Sequence, residues 1–360
     1  MSQQYKRIAV KIGSNVLTRK DGALDVTRMS ALVDQIAELR ENGVEVILIS
    51  SGAVASGRGE LKEAVSRKMD SVDQRQLFSA VGQAKLINRY YELFREHRLP
   101  VGQVLTMKES FSTRRHYLNQ RNCMMVMLEN GVIPIVNEND TVSVTELMFT
   151  DNDELSGLIA TMMDVQALII LSNVDGIYNG LPGEPGVEVI REVEPERDLQ
   201  EYIRTEKSGR GGMMTKCSIA RKVADEGIEV IIANGKRDDV LTDLVLRPGS
   251  RVCTRFAPRE GNVSSVKKWV AHSTGFTKGK VYLNAKAVEA VCGDRAVSIL
   301  PVGVTHVEGD FEKGDLVRIM SPEGQNLGVG RVAYSCEEAA RVIGQHDCKP
   351  LVHYDYLYLE

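Results

Sequence analysis

Ile8-Ala9-Val10-Lys11-Ile12-Gly13-Ser14-Asn15 is the stretch that decides how this chain folds. Its first five residues, β-branched and with almost no polar alternation, read as a strand buried on both faces, and the Gly-Ser pair ends it abruptly. A strand of that kind belongs to a sheet covered by helices. The one charge inside it, Lys11, stands at the carboxyl end, where open α/β sheets receive ligands. There the ammonium and the backbone N–H groups that follow it can converge on phosphate oxygens. The spacing is not Gly-x-x-x-x-Gly-Lys-Ser/Thr, which excludes a Walker-type nucleotide site.

The same pattern recurs outward from this strand. Val44 to Ile49, Val101 to Leu105, Val132 to Val136, Ala167 to Leu171 and Glu229 to Ala233 are further short apolar runs that read as strands buried on both faces. Between them, Met29, Leu32, Val33, Ile36 and Ala37 fall at helical spacing behind an Asp25 cap, with Asn42-Gly43 as the stop. Leu77, Ala80, Val81, Ala84, Ile87, Tyr91 and Phe94 predict the apolar face of a long amphipathic helix, and Tyr117 to Glu129 a third helix. The expected fold is α/β, a mostly parallel sheet sandwiched by helices. Residues 179 to 213, rich in Gly, Pro, Glu and Arg, read as a long excursion of a functional or mobile kind.

Beyond about residue 250 the grammar changes to short alternating runs between Gly and Asp turns. Lys280 to Leu283, Ala296 to Leu300, Asp315 to Met320 and Asn326 to Val332 read as strands, with a helix at Cys336 to Ile343. The expected domains are residues 1–258, a linker over 259–276 that holds the only tryptophan, Trp269, and a small mainly-β unit over 277–360.

At 360 residues the chain suits two domains, and 43% hydrophobic with 26% charged residues is the composition of a soluble globular protein. A net charge of -4 supplies no basic field for nucleic acid or anionic membrane. No apolar run approaches the roughly 20 residues of a membrane span, and the first residues show no signal peptide, so a cytoplasmic address is expected. The six cysteines are scattered without metal-ligand spacing; reduced, mostly buried thiols and no structural zinc are expected.

Four more stretches join the Lys11 strand. Ser50-Ser51-Gly52 opens a small-residue helix, Ala53 to Gly57, whose lack of bulk permits a close approach by ligand. Asn137-Glu138-Asn139-Asp140 places four polar side chains at a strand's carboxyl end, expensive to leave without a role. Asp151-Asn152-Asp153 caps a helix with more polar groups than capping needs, suiting a substrate's ammonium and carboxylate or a magnesium ion. Gly211-Gly212-Met213-Met214-Thr215-Lys216 leads into a helix and forms a second phosphate cradle. Two lysine-bearing anion sites flanking a polar, acidic pocket point to a kinase of small carboxylates. None of the six histidines falls in these stretches, which fits a carboxylate acceptor: it is already ionised, near pKa ~4.3, and needs no general base.

Lys-x-Gly-Ser after the first strand, Ser-Ser-Gly-Ala-Val-Ala-x-Gly, Asn-Glu-Asn-Asp, Asp-Asn-Asp and Gly-Gly-Met-x-Thr-Lys, in this order, resemble the glutamate 5-kinases of the amino acid kinase family, and the C-terminal unit resembles their PUA-like barrel domain. The resemblance implies the amino acid kinase fold and ATP-dependent phosphorylation of the L-glutamate γ-carboxylate with Mg2+, the first step of proline biosynthesis. Lys11, Lys216 and Asp153 would be catalytic, and Ser51, Asp140 and Asn152 would hold glutamate. Lys11, Ser172, Asn173 and the run Arg210, Gly211, Gly212, Met213, Met214, Thr215 and Lys216 would hold ATP, which carries the magnesium. It also implies L-proline as feedback inhibitor, a homo-oligomer (dimer or tetramer) and a partner enzyme that uses glutamyl phosphate. The family shows Thr-Asp in place of Ser172-Asn173 and Thr in place of Arg210, which bears on how the base and ribose are held. A related kinase of aspartate, carbamate or UMP is the competing reading. RNA binding through the C-terminal unit is another, opposed by the mixed charges of Lys313, Arg318 and Arg331 with Asp310, Glu312, Asp315 and Glu323.

Overall fold

The computed structural model describes residues 5–61, 69–111, 114–142, 149, 151–180, 184–194, 213–259, 277–293, 297–346 and 348–359. The chain divides into two compact units, Met1–Lys108 with Asn119–Gly261, and Glu109–Leu118 with Asn262–Glu360.

In the first unit, β1 (Arg7–Ile12) enters the short helix α1 (Ser14–Leu17), and α2 (Val26–Glu41) leads to β2 (Glu45–Ser50). The helices α3 (Ala53–Glu60) and α4 (Ser71–Glu96) precede β3 (Val101–Thr106), α5 (Arg114–Glu129) precedes β4 (Ile133–Glu138), and α6 (Asn152–Met162) precedes β5 (Ala167–Ser172). The rest is β6 (Glu192–Val193), α7 (Met213–Asp225), β7 (Glu229–Asn234), α8 (Val240–Leu246) and β8 (Thr254–Phe256). These strands form one sheet in the order β3-β4-β2-β1-β5-β7-β8-β6. Every pair is parallel except β7 with β8.

The strands behave as their sequences predict. Ile8, Val10 and Ile12 of β1, Val46 and Leu48 of β2 and Ile169 and Leu171 of β5 are all at 0% exposure, each worth about 1.5–3 kcal/mol of burial. The exception is β3, the sheet's edge, where Gln103 and Leu105 face solvent because no strand pairs beyond them. Helix α2 starts at Asp25, whose carboxylate accepts from the Arg28 N–H, and ends at Asn42 with Gly43 at φ 77, a left-handed turn that glycine adopts without strain. β1 lies between β2 and β5, so the chain winds away from it in both directions and its carboxyl end is the switch point of the sheet.

Helix α4 departs from the sequence reading. Its buried side is Phe78, Ser79, Gly82, Gln83, Leu86, Tyr90 and Phe94, while Leu77 and Tyr91 are exposed. The inward face carries small and polar residues because it packs on α3 at backbone distance. A Cβ on Gly82 would lie 1.8 Å from the Ala53 carbonyl oxygen, and one on Gly57 1.8 Å from that of Phe78. The missing bulk at Gly57 therefore serves helix packing, and not ligand approach as expected.

The second unit comprises β9 (Gly279–Leu283), α9 (Ala285–Val291), β10 (Val304–Gly309), β11 (Leu316–Met320), β12 (Asn326–Val332), α10 (Cys336–Val342) and β13 (Val352–Leu359). Its five-stranded sheet runs β10-β9-β11-β12-β13 over a core of its own that includes Val281, Phe311, Ile319 and Val352. Of the strand expected over Ala296 to Leu300, only the bridge from Ile299 to Val352 forms, and Ala296 lies outside the described residues. The capping box of α10, Ser335 with Glu338, fixes the start of the helix expected there.

The six cysteines form no disulfide, but only Cys217 and Cys253 are buried; Cys123 and Cys292 are exposed on helical surface and at a helix end. Mostly buried thiols were thus the wrong expectation, since scattered small residues mark no particular face. Among the described residues no helix is long and apolar enough to cross a membrane. Of the linker expected over 259–276, residues 260–276, Trp269 included, lie outside the described residues.

Candidate active site

At the carboxyl end of β1, Lys11 is 5% exposed, flanked in register by Ile49 of β2 and Ile170 of β5. Its Nζ donates to Oδ1 of Asp153, in the first turn of α6, and Lys216 in the first turn of α7 lies 3.1 Å from the other oxygen, Oδ2. One carboxylate at 1% exposure thus holds two ammonium groups, leaving the cluster one positive charge in excess. Two helix N-termini add their positive dipole ends, so the place is made for an anion. The Gly13 N–H, expected on phosphate, donates instead to the Leu171 carbonyl at 3.1 Å, because Gly13 still continues the ladder of the sheet.

A cavity of about 360 Å³ opens on this cluster. Its walls include Lys11, Gly13, Ser14, Asn15, Asp153, Ser172, Asn173, Val174, Met213 and Lys216. Of the residues predicted for a nucleotide, Lys11, Ser172, Asn173, Met213 and Lys216 are gathered here. Met214 and Thr215 lie outside the cavity wall, Met214 being 48% exposed, and Arg210, Gly211 and Gly212 lie outside the described residues. Just past Asn173, Asp175 accepts a bidentate pair from Arg237 at 3.0 Å and a bond from Asn234 at 3.1 Å. The Arg237 guanidinium holds that carboxyl below the usual range.

A second cavity of about 340 Å³ shares Ser14, Ser51, Asp151 and Asn152 with the first, and adds Arg58, Arg75, Asn137, Glu138 and Asp140. All three residues predicted to bind the acceptor therefore line one space. Asn152 Nδ2 donates to Ser51 Oγ at 2.9 Å and to Asn137 Oδ1 at 3.0 Å, while Asn137 donates to Gln83 at 2.8 Å. Gly52, at φ 108, makes the left-handed turn that starts α3 behind Ser51. Asp151 caps α6 through Oδ1, which accepts from the N–H groups of Asp153 at 2.9 Å and Glu154 at 3.0 Å; its Oδ2 is buried without a partner. Burial first, and the charge of Asp153 second, push this carboxyl above its ordinary value.

Sequence reasoning missed the wall that α4 supplies. Arg75 binds Asp140 through Nε at 2.8 Å and Nη2 at 2.5 Å and reaches Glu138 at 3.1 Å, Ser79 donates to Asp140 at 3.2 Å, and Gln83 supports Asn137. These three follow one another at i, i+4 and i+8, a polar stripe along one side of the helix.

Residues 6–234 match the model of the amino acid kinase family. The chain belongs to that family. Residues 279–354 match the PUA domain, so this amino acid kinase carries a PUA domain at its C-terminal end. Along its whole length it is 68% identical to a glutamate 5-kinase of Bacteroides thetaiotaomicron, covering 100% of both chains. It is 47% identical to a glutamate 5-kinase of Chlorobaculum tepidum, covering 99% of this chain and 98% of that one. Among solved structures, UMP kinase from Bacillus anthracis superposes with a TM-score of 0.50 at 18% identity over 71% of this chain and 97% of the other, a likeness of fold.

Proposed function

We propose that the chain transfers the γ-phosphoryl group of ATP to the γ-carboxylate of L-glutamate, giving L-glutamyl 5-phosphate and ADP at the head of proline biosynthesis. It is a glutamate 5-kinase, a phosphotransferase with a carboxyl acceptor. The full-length identity to glutamate 5-kinases carries the reading, and the geometry supplies the route: two cavities that share Ser14, Ser51, Asp151 and Asn152, with Lys11 and Lys216 on the wall of the first. ATP occupies the cavity with Ser172, Asn173 and Met213, and glutamate the one with Asp140 and Asn152.

The acceptor oxygen, ionised at neutral pH, attacks the γ-phosphorus in line as the bond to the ADP oxygen breaks. No proton has to be removed, so no general base is required. Lys11 and Lys216 offset the charge that builds on the transferring group, and Asp153 keeps both ammoniums aimed at it. Cations fixed in advance within a dry site act mainly on the transition state. Asn152, itself held by Asn137, fixes Ser51 and with it the acceptor carboxylate. Magnesium carried by the ATP phosphates would screen their charge; both oxygens of Asp153 are already engaged by lysine.

Residues 1–258 form the catalytic domain, 259–276 the connection and 277–360 the PUA domain. The enzyme works in the cytoplasm as a dimer or tetramer. L-Proline inhibits in competition with glutamate, and a partner enzyme consumes the labile acyl phosphate. The decisive experiment is ATP turnover with hydroxylamine present across glutamate, aspartate, carbamate and UMP. Glutamate alone should yield hydroxamate and stoichiometric ADP. Equal turnover of aspartate would overturn the assignment, and proline inhibition unrelieved by saturating glutamate would refute the shared pocket.

A further inference from the structure

The acceptor cavity holds a charge arrangement that the transfer step does not use. Glu138 and Asp140, at 3% and 7% exposure, are two buried carboxylates two residues apart at the end of β4. Each has one oxygen satisfied by the protein alone: Glu138 Oε1 accepts from the Phe149 N–H at 3.0 Å, and Asp140 Oδ2 from Ser79 at 3.2 Å. The other oxygen of each accepts from Arg75, which donates through Nε and Nη2. None of its described contacts uses Nη1. The Arg75 side chain is 31% exposed, against 2% and 8% for its partners, and it lines the cavity. A guanidinium clamped along one edge by buried carboxylates, on a side chain that lines a ligand space and has Nη1 to spare, is pre-organised for a further carboxylate.

We propose that Arg75 is the specificity-determining residue for the α-carboxylate of the acceptor, which it receives on Nη1 while Asp140 takes the neighbouring ammonium. This rests on the reading of the acceptor as a 2-amino dicarboxylate. Of the two negative charges on Glu138 and Asp140, Arg75 offsets one and the substrate ammonium the other, so the acceptor's unreactive carboxylate meets no uncompensated pair. The carboxylate that reacts goes to Ser51 and Asn152, and the one that does not goes to Arg75. A lysine would keep the charge but lose the fork that contacts Asp140 and substrate together.

The test compares three acceptors on the full chain, wild type and Arg75→Met, with Arg75→Lys as the conservative variant. L-Glutamate has both groups, 4-aminobutyrate lacks the α-carboxylate and glutarate lacks the ammonium. Wild-type turnover of glutamate tests the assigned reaction by itself; without it that reading fails, whatever Arg75 does. In the wild type, kcat/KM for glutamate should exceed that for 4-aminobutyrate by on the order of 10–100-fold, the worth of a charged hydrogen-bonded contact. Arg75→Met should collapse that ratio toward one, chiefly by raising the glutamate KM, and leave the ATP KM unchanged. Arg75→Lys should restore part of it. Wild type that accepts 4-aminobutyrate as well as glutamate overturns the proposal, and so does an Arg75→Met enzyme that loses both acceptors in equal proportion. Collapse of the glutamate-to-glutarate ratio instead would assign Arg75 to orienting Asp140 for the ammonium, and would also overturn it. Should Arg75→Met fail to fold, the wild-type ratio and that of Arg75→Lys decide: a lysine variant that discriminates as fully as arginine contradicts the fork.

Discussion

Replacing Asp153 by Asn should make the enzyme less stable, tighter for nucleotide and slower, all three together. The substitution keeps the shape of the side chain and removes the one negative charge between Lys11 at 5% exposure and the Lys216 side chain at 13%. Stripping one partner from a buried ion pair costs about 3–5 kcal/mol. That is a large part of the ~5–15 kcal/mol that holds a domain together. At roughly 2–4 °C per kcal/mol for a unit of this size, Tm should fall by about 6–20 °C. Nucleotide phosphates then supply the missing counter-charge, and a unit-charge pair at 4 Å is worth ~4 kcal/mol at an effective dielectric of 20. The shift in Tm on adding ADP or a non-hydrolysable ATP analogue should therefore be larger in Asp153→Asn than in wild type. Catalysis moves the other way, because ammoniums no longer held by Asp153 are not aimed at the transferring group, and kcat should drop by on the order of 10². Thermal melts across a nucleotide titration, paired with coupled ADP release, read all three. An Asn variant that melts like wild type, or binds nucleotide more weakly, would show that Asp153 does not tie the lysines together in solution.

Lys216→Ala should lower kcat by about 10² or more with a smaller change in the glutamate KM, since a fixed cation acts mainly on the transition state; steady-state kinetics with near-normal kcat would remove its role. Gly82→Ala would drive a methyl to 1.8 Å from the Ala53 carbonyl and should cost roughly 1–3 kcal/mol or more, seen as a lower denaturant midpoint, and should raise the glutamate KM because α3 begins beside Ser51. Asp151 titrates above its ordinary value in the fold, so the native state holds its proton more tightly than the unfolded chain, and this group costs stability as pH rises through and beyond the carboxylate range. Asp151→Asn, which keeps a side chain fit for the cap, should therefore gain in Tm relative to wild type at neutral pH, with the gain vanishing on acidification; a gain that grows toward acid pH would contradict the raised value.

The catalytic fold could be read from sequence because its strands are covered on both sides, and burial on two faces writes itself as uninterrupted apolar runs. Where that condition lapses the reading degrades. β3, at the edge, alternates, and the exposed Leu105 and the buried Val104 could not be told apart by composition. Helix α4 shows the larger error. The apolar stripe predicts the buried face, but the helix turns Leu77 and Tyr91 outward and Ser79, Gly82 and Gln83 inward, because contact with α3 selects small residues and the site selects polar ones. Periodicity reports where hydrophobic side chains lie, and a helix that lines a polar pocket breaks its premise.

The same physics explains what was legible of the site. Lys11 and Asn137 stand in the last residues of their strands, and Ser51 and Asp140 just beyond strand ends, so the sheet fixes their convergence whatever else the chain does. Lys216 reads from sequence as part of a second phosphate cradle, but nothing in the spacing between residues 11 and 216 reveals that one Asp153 carboxylate accepts from both ammoniums. Arg75 was invisible for a further reason. An arginine near the start of an amphipathic helix is ordinarily solvated, and its meaning depends on two carboxylates more than sixty residues away whose burial forbids them to stand unpaired. Charge in a buried site is a property of the set, so its members become readable only when the fold has brought them to one place.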